Sequence, residues 1–191
     1  LKRWMKRQRR PVDRRAYPCA SNCVVPQPLG VVGCIVPWNF PLNLALMPLV
    51  CIFAAGNRAM VKMSEYTPAF SRLFADLVGK HFQADEIHVI TGGPDVAAQF
   101  SALPFDHLLF TGSTVVGRQV MAAAAPNLTP VTLELGGKSP TVVAPDYPIE
   151  RAAQRILAGK LLNAGQTCIA PDYVLVARAS IPAFVAALQA N

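Results

Sequence analysis

Short apolar runs alternate along this chain with longer stretches in which apolar residues recur at helical spacing. Residues 31–36 (VVGCIV) are apolar throughout and lie between Gly30 and Pro37, the pattern of a strand buried on both faces. Residues 58–63, 87–90, 107–110 and 131–135 read as further strands. The intervening segments predict helices over 42–55, from Thr67-Pro68 to about 82, from 95, and over 115–125. Thr67-Pro68 reads as an N-cap followed by a first-turn proline, and Gly56-Asn57 as a helix stop. Pro48 implies a kink in its helix. Strand and helix alternate throughout, which specifies an α/β fold with a doubly wound parallel sheet and helices on both faces.

After Gly136-Gly137 the pattern restarts with a strand at 141–144, a helix at 149–162, a loop, a strand at 173–177 and a helix from 180. Three segments follow: an arm and extended linker at 1–27, a first α/β domain at 28–136, and the opening of a second at 137–191. The chain begins on leucine and stops inside a predicted helix, as a piece of a longer protein would. Residues 29–55 are apolar enough to suggest a membrane span, but Pro37, Pro41 and Pro48 break the stretch into strand, turn and helix.

A hydrophobic share of 52% and a charged share of 15% describe a globular chain. The net charge of +7 belongs to the arm: residues 1–18 hold eight basic side chains against Asp13, while the remainder is balanced. A neutral body argues against a nucleic-acid surface, and the arm, with Trp4, is expected to be the solvated face of a helix end and linker. Five cysteines at 19, 23, 34, 51 and 168 make no zinc-ligand spacing. Their odd number fits a reducing cytoplasm.

Cys168 stands apart from the other four. It follows Gly165-Gln166-Thr167 in a polar loop, where a core filler is not expected. A thiolate is the attacking form, and at an ordinary pKa of about 8.5 it needs helpers nearby. Glu134 lies between two leucines and ahead of two glycines, which leads one to expect an apolar setting with room beside it for a substrate or water, although a paired structural carboxylate fits the same pattern. Asn39, in PWNFP, is offered at the carboxyl end of a strand, where open α/β sheets bind ligands. Gly112, Ser113 and Gly117 surround a helix start, which suits a pyrophosphate, but an ordinary capped helix explains them as well. Lys62 and Glu65 follow the second strand, where a carboxylate can take ribose hydroxyls; a surface ion pair is the plain alternative.

PWNFPL (37–42), FTGST with Gly117 (110–117), LELGGKSP (133–140) and GQTC (165–168) together resemble the aldehyde dehydrogenase superfamily. TCIAPDY and LPFDHLLFTGS are most similar to its coniferyl and fatty aldehyde branch. The resemblance implies a Rossmann-like dinucleotide-binding domain and the start of a catalytic domain. It implies Cys168 as nucleophile, Asn39 and the Cys168 backbone N–H as oxyanion donors, and Glu134 as the base that activates water. It also implies NAD, with NADP possible, held by Trp38, Lys62, Glu65, Gly112, Ser113 and Gly117. It further implies an aldehyde substrate, no metal, and a homodimer in the full-length protein. Met63 stands where the family usually has proline. Two rival expectations are a remnant that at most binds nucleotide and a cysteine-dependent esterase or acyl transferase.

Overall fold

The computed structural model describes residues 5–191. The arm contains two short strands, β1 (Gln8–Arg10) and β2 (Asn22–Val24), paired antiparallel with Arg9 opposite Cys23. This corrects the expected helix end over that stretch, since three residues are too few to show a period and their pairing partner lies well downstream. The part of that expectation resting on Trp4 falls outside the described residues.

The chain divides into two compact units, one ending at Glu134 and the other running Leu135–Asn191. In the first, β3 (Val31–Ile35), β4 (Arg58–Lys62), β5 (Ile87–Ile90), β6 (His107–Gly112) and β7 (Val131–Leu135) form one sheet in the order β5-β4-β3-β6-β7. The β3–β4, β3–β6 and β4–β5 pairings are parallel. The chain builds outward from β3 to β5 and then returns to the other side of β3, so the order reverses between β3 and β6. Such a reversal opens a crevice beyond the carboxyl ends of the strands.

Four helices connect the strands: α1 (Pro41–Ala54), α2 (Pro68–His81), α3 (Pro94–Ser101) and α4 (Thr114–Ala124). Cys34, Val61 and Leu108 are at most 1% exposed at the sheet centre. Leu49 and Ile52 of α1 and Phe74 and Val78 of α2 pack into the same cluster as β3 and β4. Burial pushes the Cys34 thiol up to about 12. Pro48 lies within α1 without ending it. The helix stops as its sequence indicates: Gly56 takes a φ of +81°, and the N–H groups of Gly56 and Asn57 donate to Phe53 and Ile52 carbonyls at 2.9 and 3.0 Å. This is the paired closure of a Schellman turn.

In the second unit β8 (Ser139–Val142) and β9 (Pro171–Leu175) pair in parallel. Helices α5 (Ile149–Leu161) and α6 (Ile181–Gln189) close a small core of Val143, Ala152, Ala153 and Phe184. Both strands begin two residues earlier than expected. Proline reads as a strand breaker, yet Pro171 takes a first position and Pro140 adjoins a register shift, the two places a strand tolerates it. Among the described residues no helix is long and apolar enough to cross a membrane.

Candidate functional site

Three parallel strands release the chain at the same end of the sheet, and their exits enclose a cleft of about 460 Å³. Pro37 and Trp38 come from the exit of β3, Ser64, Glu65 and Tyr66 from that of β4, and Phe110 to Ser113 from the end of β6. Five of the residues singled out in the sequence, Trp38, Lys62, Glu65, Gly112 and Ser113, line this one space.

Lys62 is the least expected of them, being a lysine only 1% exposed. Its ammonium donates to the Met63 carbonyl at 2.8 Å and to a Glu65 carboxylate oxygen at 3.5 Å. Burying a cation is costly unless it is partnered. The plain alternative of a surface ion pair therefore fails on the lysine's side, although the Glu65 side chain keeps 33% of its exposure. An ammonium has three donors, of which these contacts use two among the described residues.

Ser113 is the N-cap of α4, its hydroxyl accepting from the Val116 N–H at 3.3 Å. A Cβ on Gly112 would sit 2.5 Å from the Phe110 ring, so packing already demands glycine there. Gly117 lies buried in the first turns of α4, its N–H donating to the Ser113 carbonyl at 2.9 Å, and is not part of the cleft lining. Asn39 is half-buried one residue beyond Trp38 and is likewise outside the lining.

Glu134 departs from expectation. It is exposed on β7, because strand alternation turns its leucine neighbours Leu133 and Leu135 to the opposite, half-buried face. The apolar surroundings suggested by its sequence neighbours are therefore not around its carboxylate within the strand.

Cys168 lies in the second unit, exposed and unbridged. Ahead of it the backbone turns left-handed at three successive residues, Asn163 (φ 50°), Ala164 (φ 55°) and Gly165 (φ 78°). Only glycine adopts that conformation without penalty. The Ala170 N–H then donates to the Thr167 carbonyl at 3.1 Å, folding Cys168 into a tight turn. A Cβ on Gly137 would stand 3.5 Å from the Cys168 carbonyl. Past the turn, Asp172 meets Lys138 at 3.1 Å and Lys160 at 4.0 Å. The Thr167 hydroxyl oxygen is buried without a hydrogen-bond partner among the described residues.

Sequence reading missed the serines and threonine behind the cleft. Ser64, Thr67 and Ser71 form a hydrogen-bonded group at the exit of β4. Thr67 makes no side-chain cap bond to α2; its hydroxyl faces the Ser64 carbonyl at 3.4 Å instead. One signal was available: Ser71 shares a stripe with Phe74 and Val78, so it is a hydroxyl on the buried face of an amphipathic helix.

The model of the aldehyde dehydrogenase family matches residues 2–191. The chain belongs to that family. Among curated aldehyde dehydrogenases it is 60% identical to a probable coniferyl aldehyde dehydrogenase of Pseudomonas aeruginosa over 97% of this chain and 39% of that one. It is 52% identical to the coniferyl aldehyde dehydrogenase of a Pseudomonas species over 96% of this chain and 38% of that one. Among solved structures, substrate-bound AldH of Staphylococcus aureus superposes with a TM-score of 0.94 at 41% identity, covering 99% of this chain and 41% of that enzyme. The Mycobacterium tuberculosis aldehyde dehydrogenase complexed with NAD+ superposes with a TM-score of 0.86 at 31% identity, covering 96% and 38%. The chain thus spans about two fifths of the length of these aldehyde dehydrogenases.

Proposed function

We propose that this chain is the dinucleotide-binding part, with the opening of the catalytic part, of an aldehyde dehydrogenase that converts a coniferyl-type aromatic or long-chain aldehyde to its acid with NAD or NADP. The observation that carries the reading is Lys62, a buried cation lining a cleft at the reversal point of a parallel sheet, with Glu65 beside it. These two suit the hydroxyls of an adenosine ribose, and Trp38 and the capped start of α4 border the same space. Glu65 favours NAD, because a 2'-phosphate would meet a negative charge. NAD-complexed structural neighbours and the names of the coniferyl relatives support the cofactor and substrate classes.

The chemistry assigned to the chain's own residues balances. The Cys168 thiolate bonds to the aldehyde carbon, and the oxygen takes the negative charge, held by the Asn39 amide and the Cys168 N–H, an arrangement worth several kcal/mol to such a step. Bound NAD(P) supplies the hydride acceptor. Loss of the C–H bond with its electron pair leaves a thioester on Cys168. Glu134 then takes a proton from water as its oxygen adds to that thioester; the C–S bond breaks, the acid leaves and the thiolate returns. An exposed Glu134 and an exposed Cys168 are open to water and substrate. We place the protein in the cytoplasm, as a homodimer at full length.

The rival reading is a remnant that binds nucleotide without turnover. Mass spectrometry of the Cys168 peptide after incubation with coniferyl aldehyde and NAD+ decides between them. An acyl adduct with matching NADH, absent in Cys168→Ala and accumulating in Glu134→Gln, supports the enzyme. Saturable NAD+ binding with no adduct supports the remnant.

A further inference from the structure

The loop after β4 carries Glu65, which Lys62 at the end of the strand meets at 3.5 Å, so whatever fixes that loop fixes how the two side chains meet. The backbone leaves the sheet after Met63, whose N–H still donates to the Ile90 carbonyl at 3.0 Å. At Ser64 the ladder is gone, and the Ser64 carbonyl depends on donors from Thr67 and Ser71. Ser71 reaches it at 3.0 Å, while the Thr67 N–H and hydroxyl approach only to 3.4 Å, the weak end of the range. The Ser64 hydroxyl in turn accepts from the Tyr66 N–H at 3.2 Å.

Ser71 is 2% exposed, and what its hydroxyl does differs from the local default. A helical serine ordinarily donates back to the carbonyl four residues earlier, as Ser101 does to Ala97 at 2.8 Å. Ser71 leaves the corresponding carbonyl of Thr67 to its own backbone N–H, at 2.9 Å, and spans seven residues to a group outside the helix. Its helix is anchored in the core through Phe74 and Val78. A rigid path therefore runs from the core through α2 and one buried hydroxyl to the loop at the cleft.

We infer that Ser71 is a positioning residue for the cofactor: its hydroxyl holds the Ser64 carbonyl and so sets where Glu65, beside the strand-held Lys62, meets a dinucleotide ribose. This rests on the reading of the cleft given above. The geometry of a bound ligand depends on such supporting contacts as much as on the groups that touch it. Ser71 touches no ligand itself, so its loss loosens the site without removing a contact.

The test is hydrogen exchange of the 191-residue chain together with NAD+ titration, for the parent, Ser71→Ala and Ser71→Thr. Alanine suits a helix, so the first variant is expected to fold. The expected result is at least tenfold faster exchange of the Tyr66 and Thr67 amides in Ser71→Ala, a three- to tenfold weaker NAD+ affinity, and recovery of both in Ser71→Thr, which restores the hydroxyl. Parent binding with no change of exchange or affinity in Ser71→Ala overturns the inference and leaves the cleft reading standing. Faster exchange at unaltered affinity overturns the positioning role. A parent chain whose cleft amides and fluorescence ignore NAD+ overturns the cleft reading, and the inference with it.

Discussion

The strand-end cleft and the cysteine loop solve the same problem, presenting reactive side chains, by different physics. The cleft is fixed by burial: Lys62 is 1% exposed, the ladder behind it is parallel and continuous, and Ser71 secures the loop that follows. The loop around Cys168 has little burial to draw on. It is shaped by a left-handed run at 163–165, an exposed turn and a carboxylate between two lysines. Where packing positions a group, stability should be sensitive to volume; where backbone conformation positions it, stability should be sensitive to handedness.

The largest expected effect lies on the packing side. Leu108→Ala, at 0% exposure, should cost about 2–5 kcal/mol, whereas Ile169→Ala beside the cysteine, at 76% exposure, should stay within about 0.5 kcal/mol. Urea midpoints measure both, and similar costs would erase the contrast.

A second test on the same side uses pH. The Cys34 thiol is raised from 9.0 to about 12 by burial, so the folded state holds its proton more tightly than the unfolded chain. Its contribution is complete below about pH 9 and is lost as pH rises toward 12. Cys34→Ala should remove that part of the alkaline loss, read as the difference between the two stability profiles; parallel profiles would contradict it.

On the backbone side the effects are smaller and their sign is distinctive. Ala164→Gly relieves a left-handed alanine and should stabilise by about 1 kcal/mol, the handedness penalty less the entropy of glycine. A destabilised variant would show that the strain is not there. Thr167→Val removes a buried hydroxyl without a partner at nearly constant volume. Thermal unfolding should show no loss, and a gain of up to about 1 kcal/mol.

The same division decides what the sequence made legible. The five strands of the main sheet were readable because short apolar-rich runs are bounded by turn residues, β3 being apolar throughout and β7 alternating, and Ile87–Ile90 and Val131–Leu135 matched residue for residue. Gly56-Asn57 announced its turn because the chemistry of that stop is local. Lys62 and Glu65 were readable as candidates by place, but the burial of Lys62 was not, since it depends on the strands β3 and β5 that flank it. β1 was invisible because three residues gain their structure only from a partner. Ser71 was overlooked because a lone serine has no motif, and the exposure of Glu134 was not legible because neighbours in sequence lie on opposite faces of a strand. The left-handed Asn163 and Ala164 carry no residue-type signal beyond the asparagine.

Whether the cleft takes a dinucleotide through Lys62 decides the cofactor assignment. Trp38 borders that cleft, so an NAD+ titration followed by tryptophan fluorescence, with Lys62→Met and the exposed-lysine control Lys80→Met, reads the claim. Saturable quenching in the parent and in Lys80→Met, with affinity at least tenfold weaker in Lys62→Met, is the predicted result. Equal affinity in all three, or no response in any, would contradict it.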